Sequence, residues 1–228
     1  MFPHRKLTFS VLLLCSSALA ADKPRPAPAV KPAAQYAVHE AHPDEHVTIA
    51  AEPCEDPDNC KFFRLPYIQH GFLPVRVIIT NDRDQPLKLD DVRIQFFPAE
   101  GDKMPAATDE DINRRLFSRK SAAGTKIPLV PITIHHEPVD KKITNDGDDF
   151  GFKSLTVAPH TTAAGYVFYD VRALDEPVLK GAELYVKMIR TTSNKGEQVE
   201  LFGFSIPFTR RLDPKPEVKP SSQSPSPK

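Results

Sequence analysis

Three imidazoles and three carboxylates fall within eight residues at His39-Glu40-Ala41-His42-Pro43-Asp44-Glu45-His46. Nitrogen and oxygen donors of this kind suit zinc, copper or nickel, so His39, His42 and His46 form the candidate metal set. A metal site needs its ligands held at fixed angles, and Pro43 interrupts any helix that would align the three rings. A solvated linker is the plainer reading. The acidic stretch Thr144-Asn145-Asp146-Gly147-Asp148-Asp149 invites a calcium loop. With Gly147 as the sixth loop position, however, Lys142 and Lys153 take the first and twelfth places, where carboxylates are required, and an acidic turn remains.

Acid-base chemistry has few footholds. His135, His136 and Glu137 follow an apolar stretch, and His70 and His160 stand in loops, but no nucleophile or orienting carboxylate is placed beside them by spacing. The paired acids Asp90-Asp91 and Asp109-Glu110-Asp111 resemble glycosidase carboxylates in type only, and the second set suits a helix start. No G-x-S-x-G, H-E-x-x-H, phosphate loop or dinucleotide fingerprint occurs. The sequence thus names no catalytic residue and no cofactor.

Thirty basic residues balance thirty acidic ones across 228 residues, which removes the electrostatic footprint of a nucleic-acid-binding protein. With no Trp and five Tyr, sugar stacking is disfavoured. His4, Arg5 and Lys6, the apolar stretch Leu7 to Leu14 and the small residues Ala18-Leu19-Ala20 read as a signal peptide over 1–20, cleaved near Ala20 or Ala21. Lipidation at Cys15 is disfavoured because Leu14, just before it, is not small. The apolar run is far shorter than a bilayer span. The expected location is secreted or periplasmic. In such a compartment Cys54 and Cys60 are expected to form a disulfide, closed by a type I turn at Asp56-Pro57-Asp58-Asn59.

Elements that could position any site follow from the patterning. Residues 21–45 are rich in Pro and Ala and read as a flexible spacer. Residues 213–228 form a Pro- and Ser-rich tail, and 46–212 a single domain. Within it, alternation at Val75-Val77-Ile79, Val92-Ile94-Phe96, Val130-Ile132-Ile134, Leu155-Val157, Leu184-Val186-Met188 and Phe202-Phe204-Ile206-Phe208 has the period of strands. Gly165 to Val171 is apolar on both phases, as a central strand would be. One helix is expected near 109–120, with Thr108 as its cap and Arg114, Arg115, Arg119 and Lys120 toward its end. An all-β antiparallel sandwich of about seven to nine strands with one inserted helix accommodates these elements.

The phrases Leu73-Pro-Val-Arg-Val-Ile-Ile-Thr-Asn-Asp-Arg-Asp-Gln-Pro-Leu and Leu155-Thr-Val-Ala-Pro-His-Thr-Thr-Ala-Ala-Gly-Tyr-Val-Phe-Tyr-Asp-Val resemble the extracytoplasmic immunoglobulin-like domains of bacteria. The resemblance covers roughly 46–209 and implies an immunoglobulin-like sandwich without implying a site. The functional expectation is a non-enzymatic binding or structural module for proteins of the cell envelope or extracellular space. Its competitors are a metal-binding accessory protein using His39, His42 and His46, and a hydrolase with an unrecognised site.

Overall fold

The computed structural model describes residues 23–117, 125–126, 133–134, 137–193 and 195–209. Antiparallel strands dominate. The first sheet has the order β1 (His39–His42), β2 (Val47–Pro53), β3 (Phe72–Asn81), β10 (Thr161–Asp170). A second runs β14 (Phe204–Pro207), β11 (Glu183–Lys187), β5 (Arg93–Phe97), β6 (Met104–Pro105). A third runs β13 (Gln198–Glu200), β12 (Arg190–Thr192), β4 (Leu87–Lys88), β9 (Thr156–Val157), and β7 (Thr125–Lys126) pairs with β8 (Thr133–Ile134). The alternating segments named above supply β3, β5, β9, β11 and β14. Val130 and Ile132 lie outside the described residues, as do residues 1–22 and the tail.

The period-two pattern explains the first core. Val47, Ile49 and Ala51 of β2 and Val75, Val77 and Ile79 of β3 pack in one cluster with Phe96, Leu184, Val186, Phe204 and Ile206 of the second sheet. The opposite phase of the first sheet is covered over its middle strand as well, though Glu52 on β2 is exposed. Register sets Thr48, Thr80 and Thr162 in one cross-strand row, then Ala50, Ile78 and Ala164, then Glu52, Arg76 and Tyr166. All ten residues of β3 are therefore buried, because a strand in the middle of a sheet covered on both faces has no solvent side.

Two helices and the Cys54–Cys60 loop cover one end of that second face. α1 (Asp109–Leu116) starts with a reciprocal cap. The Asp111 N–H donates to Thr108 Oγ1 at 3.2 Å and the Thr108 N–H donates to Asp111 Oδ2 at 3.1 Å. α2 (Val139–Phe150) is a correction to the expectation of one helix and of an acidic turn at 144–149. Val139, Ile143 and Phe150 share its inward face, and the remaining inward position is Asp146, fully buried. A carboxylate where the periodicity wants an apolar residue, next to Gly147, hides the helix from pattern reading. Ile112, Leu116, Ile143 and Phe150 join Phe63, Tyr67, Phe72, Tyr166 and Phe168 in an aromatic-rich second core.

The boundary at residue 46 also needs correction. Ala33 and Val38 are buried, His39–His42 is a paired strand, and the Ala33 N–H donates to Thr80 Oγ1 at 2.8 Å. Small side chains at Ala50 and Ala164 let this segment approach the sheet. Ala33 and Tyr36 pack with them and with Ile78. Composition cannot show this, since Pro and Ala equally suit a chain in solvent and one lying on a surface.

Candidate interaction surfaces

The predicted metal ligands do not converge. His39 and His42 are three residues apart on β1, and strand alternation sends side chains at odd separations to opposite faces. His39 Nδ1 lies 2.7 Å from the Tyr36 carbonyl, whereas the His42 ring stacks on Phe204 at 3.8 Å and pairs with Glu45 at 2.8 Å. His46 takes a left-handed conformation (φ 51°) where the chain turns into β2. Among the described residues no three His, Cys, Asp or Glu side chains are placed to hold a metal ion.

The other candidates separate likewise. His135 and His136 lie outside the described residues. His70 is exposed at the end of a 3-10 turn, and His160 meets Asp84 on the surface at 3.0 Å. Asp90 and Asp91 both accept from Arg190 Nη2, the first at 2.7 Å, which spends them in an ion cluster. Cys54 and Cys60 are bonded with Cα atoms 6.3 Å apart, and the Asn59 N–H donates to the Asp56 carbonyl at 3.0 Å, closing the expected turn.

Residues with no motif around them form the most developed polar site. Asp146 accepts from the Arg64 N–H at 3.0 and 2.9 Å, from Arg64 Nη1 at 3.0 Å and from the Tyr67 hydroxyl at 2.9 Å. Arg64 Nη2 also reaches Asp149 at 2.7 Å, and the Arg64 side chain is 3% exposed. Burial raises the Asp146 carboxyl above its ordinary value, outweighing the hydrogen bonds from Arg64 and Tyr67. Burial also raises the Tyr67 phenol, reinforced by the neighbouring Asp146 charge.

This cluster touches the extended segment 23–32, which carries no helix or strand. Arg64 Nη2 donates to the Lys23 carbonyl at 3.2 Å, and the Arg25 N–H donates to Asp149 at 3.0 Å. Arg25 Nη1 reaches the Phe62 and Phe63 carbonyls at 3.0 and 3.2 Å. Further along, Arg76 Nη2 donates to the carbonyls of Pro28 and Ala29 at 2.6 and 3.2 Å. Arg76 is 5% exposed, and its nearest carboxylate is Glu52 at 3.5 Å. A groove of about 350 Å³ opens beside Pro28, walled by Tyr36, Phe62 and Tyr166 and edged by Glu52 and Asp56. The signal available in the sequence was a lone arginine inside each of two apolar runs, Phe62-Phe63-Arg64-Leu65 and Val75-Arg76-Val77-Ile78.

A different kind of surface lies at the end of the third sheet. β13 pairs with β12 alone among the described strands, and its three residues are exposed. Val199 is 43% exposed, and Phe202, just beyond the strand, 79%. The Phe202 N–H donates to Glu45 Oε1 at 2.9 Å, so a fixed backbone carries this outward ring. Comparison with family models, with curated proteins and with solved structures finds no match to the chain.

Proposed function

We propose that the protein is an exported, non-catalytic interaction module on an immunoglobulin-like β-sandwich, which engages proteins of the cell envelope or extracellular space through the β13 edge. The observation that carries this reading is the open side of β13 beside Val199 and Phe202. Unpaired backbone groups on an edge accept an added strand, and apolar side chains next to it supply contact area. Two sheets sharing one core support the sandwich, and the Cys54–Cys60 bond is of the kind that persists in an oxidising compartment.

The test is site-specific photo-crosslinking in the native host. A photoreactive phenylalanine analogue at 199 or 202 is expected to give discrete protein adducts. The same analogue at exposed Leu155, on the far side of that sheet, is expected to give none. Adducts at 199 should vanish in a Phe202→Asp background. Equal adducts at 155, or none at 199 and 202, would refute the reading.

A further inference from the structure

The contacts of residues 23–30 have the form of peptide recognition. Lys23-Pro-Arg-Pro-Ala-Pro-Ala-Val30 lies extended, and of these residues only Arg25 and Pro28 are half-buried. The segment is held by its main chain and by the Arg25 side chain. Two guanidinium groups, Arg64 and Arg76, point at its carbonyls, Asp149 takes the Arg25 N–H, and the carbonyls of Phe62 and Phe63 take the Arg25 side chain. Proline-rich chains suit such a site because they are already extended and their carbonyls project as free acceptors. Rings beside Pro28 add the aromatic wall that such grooves use.

With the segment in place the Arg64 and Arg76 side chains are almost wholly buried; on its departure Arg64 keeps Asp146 and Asp149, whereas Arg76 gives up two carbonyls and keeps Glu52 at 3.5 Å. An occupant that presents carbonyls in line restores the hydrogen bonds of both guanidinium groups, which is what selects an extended, carbonyl-displaying chain for this face. The segment itself has almost no apolar anchor: Val30 is 49% exposed, and every proline except Pro28 faces solvent. A segment with only two half-buried side chains is exchangeable.

We propose that this face is a recognition site for extended proline-rich segments bearing an arginine, and that residues 23–30 occupy it in cis until such a segment of another protein replaces them. The site is separate from the β13 edge, so each assignment can fail without the other.

The probe is a fluorescent peptide of residues 22–31, titrated by anisotropy into the full chain. A tethered competitor acts at an effective concentration of about millimolar, so wild type should bind the peptide weakly. A chain whose own segment is weakened by Arg25→Ala and Pro28→Gly should bind about tenfold more tightly or better. A peptide with alanine in place of its arginine, or with scrambled order, should bind neither chain. These controls leave the protein untouched, so misfolding cannot imitate them, and thermal melting confirms that the weakened chain is folded. The proposal is overturned if the folded, weakened chain ignores the peptide, or if the peptide lacking arginine binds equally well. It is also overturned, in favour of a second copy as the occupant, if wild type forms dimers that Arg25→Ala dissolves.

Discussion

Replacing Asp146 tests whether the second core depends on one buried carboxylate. Asp146→Ala deletes the acceptor of the Arg64 N–H, of Arg64 Nη1 and of the Tyr67 hydroxyl, all within 3.0 Å and out of water. Removing one partner of a buried ion pair costs about 3–5 kcal/mol. Arg64 retains Asp149 at 2.7 Å, which places the expectation at the lower end, about 3 kcal/mol. With a urea dependence of roughly 2 kcal/mol per molar, the unfolding midpoint of the oxidised protein should fall by about 1.5 M. Asp146→Asn keeps one acceptor oxygen but not the charge facing Arg64 and should lose less, about 2 kcal/mol. The sign of the pH dependence follows from the raised carboxyl. Its stabilising share is complete below the ordinary value of 3.8 and is lost as pH rises through the native value. The advantage of wild type over Asp146→Asn should therefore shrink across that rise. An Asp146→Ala stability within about 0.5 kcal/mol of wild type would place the residue among ordinary surface positions and refute the reasoning.

Four further outcomes are expected. Cys54→Ser with Cys60→Ser should lower stability by about 2 kcal/mol, the loop-closure value for a separation of six residues, read by denaturation with and without reductant. Gly165→Ala would set a Cβ 2.4 Å from the Phe152 Cα, where backbone cannot yield, and should cost about 1–3 kcal/mol in thermal unfolding; a neutral result would contradict that close approach. The Thr108 hydrogen bonds hold the Asp111 carboxyl below its ordinary 3.8, so the cap's contribution is present above that value and disappears as pH falls through the native one. Carboxyl nuclear magnetic resonance should show Asp111 titrating low and returning toward normal in Thr108→Ala. Burial pushes the Tyr166 phenol up to about 12, so its stabilising share holds below the ordinary 10.0 and is lost as pH rises through 12. Phenolate absorbance should show this ring ionising late, and ionisation at its ordinary pH would contradict its burial.

Legibility in the sequence followed the physical signal available. Strands at 75–79, 93–97, 183–187 and 204–207 were readable because alternation maps directly onto two faces. The α1 start was readable because its cap is local, Thr108 and Asp111 lying within one turn. α2 was not, since Asp146 occupies an inward position that only Arg64 and Tyr67, some eighty residues upstream in the chain, make tolerable. The histidine cluster shows the limit of spacing along the chain. It is dense along the chain, but β1 sends His39 and His42 to different faces and His46 sits beyond the strand in a turn.

What the sequence by itself determined is local: which residues alternate, where turns close, and that Cys54 and Cys60 sit within reach of each other. Tertiary structure decided the rest. It buried the second face of the first sheet, turned an apparent spacer into a docked segment, and joined Arg64, Arg76, Asp146 and Asp149 from three separate stretches into one face. The reason is that periodicity and capping act over a few residues. A buried charge is stable only where distant parts of the chain bring its partners, and no local pattern records that meeting.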